Sequence, residues 1–207
     1  MRILILFICS LLFSCSLFET TKRSFELNTE GDIFKYKGEL YTGLVLDESK
    51  TGRVITSFRC INGKIEGEYL KYFKNGKFMF KIHYKNGIKN GPFTKSTYSG
   101  EIKTGNYKDD LLNGLWVCKS IDGIILAKGK FENGNEKLFT SLSGYPLHGR
   151  IGMWYFYSNE GILEETQYYK INSNIAEVKH YYPSGELSGK GTIDKKTYTY
   201  ITWESFN

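Results

Sequence analysis

Apolar residues recur along this chain in short strand-length runs, each closed by a glycine pair, and the glycines keep a fixed interval. One series is Gly52, Gly76, Gly100, Gly123, Gly161 and Gly185, with steps of 24, 24, 23, 38 and 24. A second is Gly43, Gly67, Gly91, Gly114 and Gly152, with steps of 24, 24, 23 and 38; a sixth unit has Ala176 at that place. A period in this range marks a repeat architecture. Two residues after the first series stand Val54, Phe78, Ile102, Ile125, Leu163 and Leu187. Two after the second stand Val45, Tyr69, Phe93, Trp116, Trp154 and Val178. A third column holds Tyr36, Cys60, Tyr84, Tyr107, Phe131 and Tyr169. All eighteen positions are apolar or aromatic in a chain that is 41% hydrophobic.

Turn pairs separate the runs. Asn62-Gly63, Asn86-Gly87 and Asn133-Gly134 lie on one side; Asn75-Gly76, Ser99-Gly100, Asp122-Gly123, Glu160-Gly161 and Ser184-Gly185 lie on the other. Glycine after a short polar residue supplies the positive φ of a tight hairpin turn. A breaker every ten to twelve residues rules out helices. The pattern predicts an all-β fold, an extended antiparallel array of β-hairpin repeats with about six units of ~24 residues and about twelve strands. The repeat domain spans 34–207, and 198–203 form a closing strand. The columns are ladders in which each ring packs on the next repeat, so Tyr69, Phe93, Trp116 and Trp154 are structural.

The 38-residue step marks a 14-residue insertion within 135–151. Insertions in repeat arrays become loops on one face, often the binding face. This one carries Leu138, Phe139, Leu142, Tyr145 and Leu147, which also suits a segment folded back over a ladder edge; both readings stay open. Phe139 and Tyr145 are candidate binding residues, together with the off-column tyrosines Tyr72, Tyr157, Tyr181 and Tyr182.

Ahead of the repeats, Arg2 precedes an apolar run over 3–13, then Ser14 and Cys15. The run is too short to cross a bilayer, which takes about 20 apolar residues. It has the layout of an export signal and resembles a bacterial lipoprotein signal, in which the cysteine is acylated and the chain cut before it. This implies a signal peptide over 1–14, lipidation (such as palmitate) at Cys15, and a tether over 15–33. An ordinary secretory signal with an incidental cysteine is the alternative.

Tyr and Phe are abundant (16 and 14) and Pro scarce (3), which favours aromatic strands joined by glycine turns. The chain from Cys15 on has 27 Lys and Arg against 22 Asp and Glu, a net +5. Residues 50–108 alone carry +10, from thirteen basic and three acidic side chains. Such a block can attract an anionic envelope surface, although the lysines are spaced as on a solvated strand face. Cys60 and Cys118 fall in different repeats, five strands apart in the hairpin register. That is about 24 Å at ~4.8 Å per strand, beyond the ~7 Å a disulfide allows.

The three histidines, His83, His148 and His180, form no metal-type spacing. Glu164-Glu165 reads as a solvated pair, and Asp109-Asp110 as turn chemistry. No nucleophile motif or phosphate-cradling loop is present, so neither catalysis, a metal nor a cofactor is expected.

The stretches Glu66-Gly67-Glu68-Tyr69-Leu70-Lys71-Tyr72-Phe73-Lys74-Asn75-Gly76-Lys77 and Lys108-Asp109-Asp110-Leu111-Leu112-Asn113-Gly114-Leu115-Trp116 resemble bacterial MORN-type repeats, over roughly residues 34–189. Such repeats occur in proteins labelled YwqK-family antitoxins and in many exported lipoproteins. The resemblance and the signal together imply a membrane-anchored binding or scaffold module at the bacterial cell envelope, facing the periplasm or the cell surface. Its partner would be a protein or an anionic envelope component, and not nucleic acid. An antitoxin or immunity-like protein that sequesters a protein toxin is the alternative.

Overall fold

The computed structural model describes residues 20–138 and 144–207, and these form an all-β chain. In chain order the strands are β1 (Thr21–Lys22), β2 (Asn28–Glu30), β3 (Ile33–Tyr36), β4 (Glu39–Leu40), β5 (Gly43–Glu48), β6 (Val54–Ile61), β7 (Lys64–Tyr72), β8 (Phe78–Lys85), β9 (Ile88–Ser96), β10 (Ile102–Lys108), β11 (Leu111–Lys119), β12 (Ile125–Gly134), β13 (Arg150–Tyr157), β14 (Leu163–Tyr169), β15 (Ile175–Tyr181), β16 (Leu187–Asp194) and β17 (Tyr200–Ser205). From β5 to β17 each strand pairs with the next in antiparallel register, and β1 joins the far edge parallel to β5. This makes one sheet of 14 strands, while β2, β3 and β4 form a separate small sheet. The closing strand predicted over 198–203 is β17.

The turns follow their residues. Asn62-Gly63 and Asn86-Gly87 have both members at positive φ, which matches the right-handed twist of the flanking strands. Asp109 and Asp110 adopt the same pair of conformations without glycine. Asn133-Gly134 is a different case, because β12 runs through Gly134 and the chain continues into the insertion. The expected turn there is absent.

Two of the three columns are largely buried and share one face of the long sheet, the inner face, except that Tyr36 stands half-buried on β3 of the small sheet. Its middle row runs Val45, Phe58, Tyr69, Ile82, Phe93, Gly105, Trp116 and Gly129 across strands β5 to β12, and continues through Trp154, Gln167, Val178, Gly191 and Trp203. Rings touch along it: Phe58 lies 4.9 Å from Tyr69, Phe93 4.7 Å from Tyr107 and Trp116 5.7 Å from Trp154. Trp116, Trp154 and Phe93 are buried, and Tyr69 half-buried. The column that begins at Val54 behaves otherwise: Val54 and Ile102 remain 37% and 39% exposed. These residues open their strands just after each turn, at the rim of the sheet.

Two straps cover the inner face. The small sheet is the first, with Phe34 5.1 Å from Phe58 and Leu27 buried beside Tyr41, Val45 and Cys60. Residues 20–33, expected as tether, are therefore in part structured: Leu44 N donates to the Thr20 carbonyl at 2.9 Å and Ser24 N to Asp47 Oδ1 at 2.8 Å. The insertion is the second strap. Tyr145, Pro146 and Leu147 are buried, with the Tyr145 ring 5.5 Å from Trp116. Tyr145 is thus core and not an exposed contact. Cys60 and Cys118 are both free and buried, and burial pushes each thiol up to about 11.

Candidate functional site

Polar side chains concentrate at two places on the inner face. The first holds the insertion down. Glu136 receives hydrogen bonds from Lys95 Nζ at 2.8 Å, Tyr107 Oη at 2.7 Å and Lys89 Nζ at 3.3 Å, so residue 136 is tied back to β9 and β10. Burial alone would raise this carboxyl, but Lys95 above all, with Tyr107 and Lys89, holds it below the usual carboxylate range. A folded pKa below the unfolded one gives stability that is present above the unfolded value of about 4.3. That stability is lost as pH falls through the folded pKa. Glu136→Gln should therefore lower the melting temperature at pH 7 and narrow the gap from wild type as pH drops below about 4. Melting curves from pH 3 to 7 check this, and parallel curves for the two proteins would contradict it.

The second cluster lies toward the C-terminal end. Arg150 opens β13 and is buried. Its Nε donates to the Pro146 carbonyl at 2.9 Å, and its Nη1 to Gln167 Oε1 at 3.0 Å and Tyr169 Oη at 3.3 Å. Nη2 is buried without a hydrogen-bond partner, and the guanidinium carbon sits 4.3 Å above the Trp154 ring. Tyr169 Oη donates to Gln167 Oε1, and Gln167 Nε2 donates to Glu165 Oε1. Glu165 Oε2 lies 3.3 Å from His180 Nε2, which is 3.1 Å from Tyr200 Oη. Burial pushes the Glu165 carboxyl above the usual range, against the opposing pull of the Gln167 amide, His180 and Arg150. Trp203 closes the cluster, its ring 4.7 Å from His180 and 5.1 Å from Tyr200. Amide, carboxyl, imidazole and phenol are thus strung beside an exposed indole. The arrangement suits hydrogen bonding to a polar ligand laid across an aromatic face.

The tyrosines singled out from the sequence are not brought together. Tyr72 on β7 packs edge-on to Phe78, six strands from Tyr157 on β13. That separation is about 29 Å at ~4.8 Å per strand. Tyr181 Oη lies 3.2 Å from Thr166 Oγ1 on the outer face, and Tyr182, exposed, donates to the Phe206 carbonyl. Cys15 and Phe139 lie outside the described residues. Glu165, read as half of a solvated pair, instead faces inward to His180, while Glu164 is exposed.

A signal for this cluster existed in a third glycine series. Gly105, Gly129 and Gly191 occupy the middle row beside the tryptophans, and Gln167 stands where the same spacing calls for a fourth. A methyl group on Gly129 would lie 2.1 Å from Trp154 Cδ2, so glycine there makes room for the ring. Among the described residues no helix is long and apolar enough to cross a membrane, and no group of three or more His, Cys, Asp or Glu could hold a metal ion. No protein-family model and no curated protein matches the chain.

Proposed function

We propose that this protein is a non-enzymatic binding module, held at a bacterial cell envelope by a lipid on Cys15. The observation that carries the binding reading is the uneven cover of the inner face. Straps bury it over Val45, Trp116 and Trp154, yet at the C-terminal end Tyr200, Ile201 and Trp203 stand open beside the Glu165–His180 pair. Exposed apolar patches rimmed by polar groups mark interaction sites. The anchor rests on the order of Arg2, the apolar run, Ser14 and Cys15.

Metabolic labelling with a fatty-acid analogue tests the anchor. Label should enter the wild type, and Cys15→Ala should abolish both labelling and membrane retention; labelling that persists in the variant would refute it. Crosslinking the native protein in intact envelope tests the module. Capture of envelope components supports it, and capture of a single protein toxin would favour the immunity reading instead.

A further inference from the structure

The middle row of the inner face repeats one local arrangement, an indole laid against a glycine of the neighbouring strand. Trp154 lies over Gly129, and Phe93 and Trp116 both approach Gly105; the two indoles also have further cover. Tyr145 packs on Trp116 at 5.5 Å, and the Arg150 guanidinium lies 4.3 Å above Trp154. Trp203 has the same bed on a larger scale. A methyl on Gly189 would stand 2.3 Å from its Cζ2 and one on Gly191 2.9 Å from its Cε3, so the ring spans both glycines of β16. Its Nε1 donates to Ser205 Oγ at 2.9 Å, which fixes its rotation. His180 and Tyr200 stand steeply to it, at 65° and 71°. Trp203 nevertheless remains 42% exposed. One face of the indole is pressed on the sheet and the other is left open.

From this geometry we propose that Trp203, Tyr200 and His180 form a carbohydrate subsite that stacks one pyranose ring on the open indole face. The flat C–H side of a pyranose with equatorial substituents matches such a face, because its weakly positive hydrogens meet the negative π-cloud. Its hydroxyls need mixed donors and acceptors at the rim to fix orientation. Tyr200 Oη and His180 Nε2, 3.1 Å apart, stand at this rim with Glu165 behind the imidazole, and a hydroxyl and an imidazole each keep a second hydrogen-bonding position for the sugar. A cationic guest fits less well, since the carboxylate that would attract it is already engaged by His180 and Gln167 and faced by Arg150. An added β-strand also fits less well. The pairing of β17 with β16 shifts register between Thr192 and Ile193, and such a bulge blunts an edge against strand addition. This proposal names a ligand class for the binding-module reading and rests on it, but not on the lipid.

The test uses the full chain carrying Cys15→Ala, titrated with chitohexaose and cellohexaose, with maltohexaose as a curved comparison. Binding is read by calorimetry and by tryptophan fluorescence, to which exposed Trp203 should respond. A dissociation constant of about 0.1–1 mM is expected for one stacked ring. Trp203→Ala should weaken binding at least about tenfold. Trp203→Phe should retain part of it, and Tyr200→Phe, which keeps the ring and loses only the hydroxyl, should weaken it less than Trp203→Ala. Melting curves for each variant separate lost contacts from lost folding. No saturable binding of either straight hexaose up to about 10 mM would overturn the subsite. So would unchanged affinity in Trp203→Ala, or a response to acetylcholine in place of sugar. An envelope protein crosslinked to the same wild-type protein would then leave the module reading standing without the glycan.

Discussion

Removing residues 135–149 to restore the regular repeat length should unfold the protein or leave it without a cooperative melt. Loop length by itself argues the reverse, since closure entropy changes only slowly with length. The described parts of this insertion are core, however. Tyr145 and Leu147 are buried, and Tyr145 covers Trp116 and stacks on Phe156 at 6.5 Å. The cut also removes the Pro146 carbonyl from Arg150 Nε, and the Glu136 carboxylate from Lys95, Lys89 and Tyr107. Deleting one buried aromatic costs about 3–5 kcal/mol and a buried leucine about 2–5 kcal/mol. Their sum reaches the usual total of ~5–15 kcal/mol. Thermal melts with dye binding to exposed apolar surface check this. A trimmed protein that melts within a few degrees of wild type would show that the strap adds little.

Trp154→Ala should cost about 3–5 kcal/mol, or on the order of 10 °C in melting temperature for a chain of this size. The indole is fully buried, 4.9 Å from Phe131 and 6.2 Å from Phe156, and supports the Arg150 guanidinium on its face. Leu115→Ala on the outer face, where the side chain is 55% exposed, should stay within about 0.5 kcal/mol. Gly129→Ala offers an internal control, because its methyl collides with Trp154 and is accommodated once that ring is gone. The two substitutions should accordingly be strongly non-additive, with Gly129→Ala damaging in wild type and mild in the Trp154→Ala background. Additive losses would mean that ring and glycine do not share the space.

The ladder was legible because its determinants are local and periodic. Turn glycines such as Gly76 and Gly185 fix the hairpins, and strand alternation then carries Phe93, Trp116 and Trp154 to one face. The straps were legible only in part, for the opposite reason: the apolar residues of the insertion left a cover over a ladder edge as one of two open readings, but not the contacts that hold it. Glu136 finds Lys95 across 41 residues of sequence, and no period links them. Asn133-Gly134 was misread because a turn pair states a backbone preference only, and here the following segment has a core face to cover. Val54 and Ile102 were apolar for a rim position and not for burial, which composition alone cannot distinguish. The C-terminal cluster was hidden in part by its glycines. Gly191 and Gly189 flank no turn, and their purpose becomes visible only once Trp203 is placed over them.

The inner face is buried as two separate apolar clusters, one under the small sheet and one from Ile82 to Ile193. Between them Tyr69 pairs with Ile82 and packs against Phe80 and Tyr84, at 5.3 and 6.0 Å. In a stacked array stability is a chain of nearest-neighbour terms, so the two clusters are coupled through the β7–β8 strand pairing and the half-buried Tyr69. The insertion strap reaches back from β12 to β9 and ties the strands between together, while the N-terminal strands are joined to them by nearer contacts, Asn86 N donating to Glu66 Oε2 at 2.7 Å and Phe73 packing 5.5 Å from Tyr98. The apolar core is therefore divided unequally, within one continuous sheet. The smaller cluster, nearer the N-terminus, lies outside the reach of the insertion strap, and its amides should exchange with solvent hydrogen before those of β9 to β12.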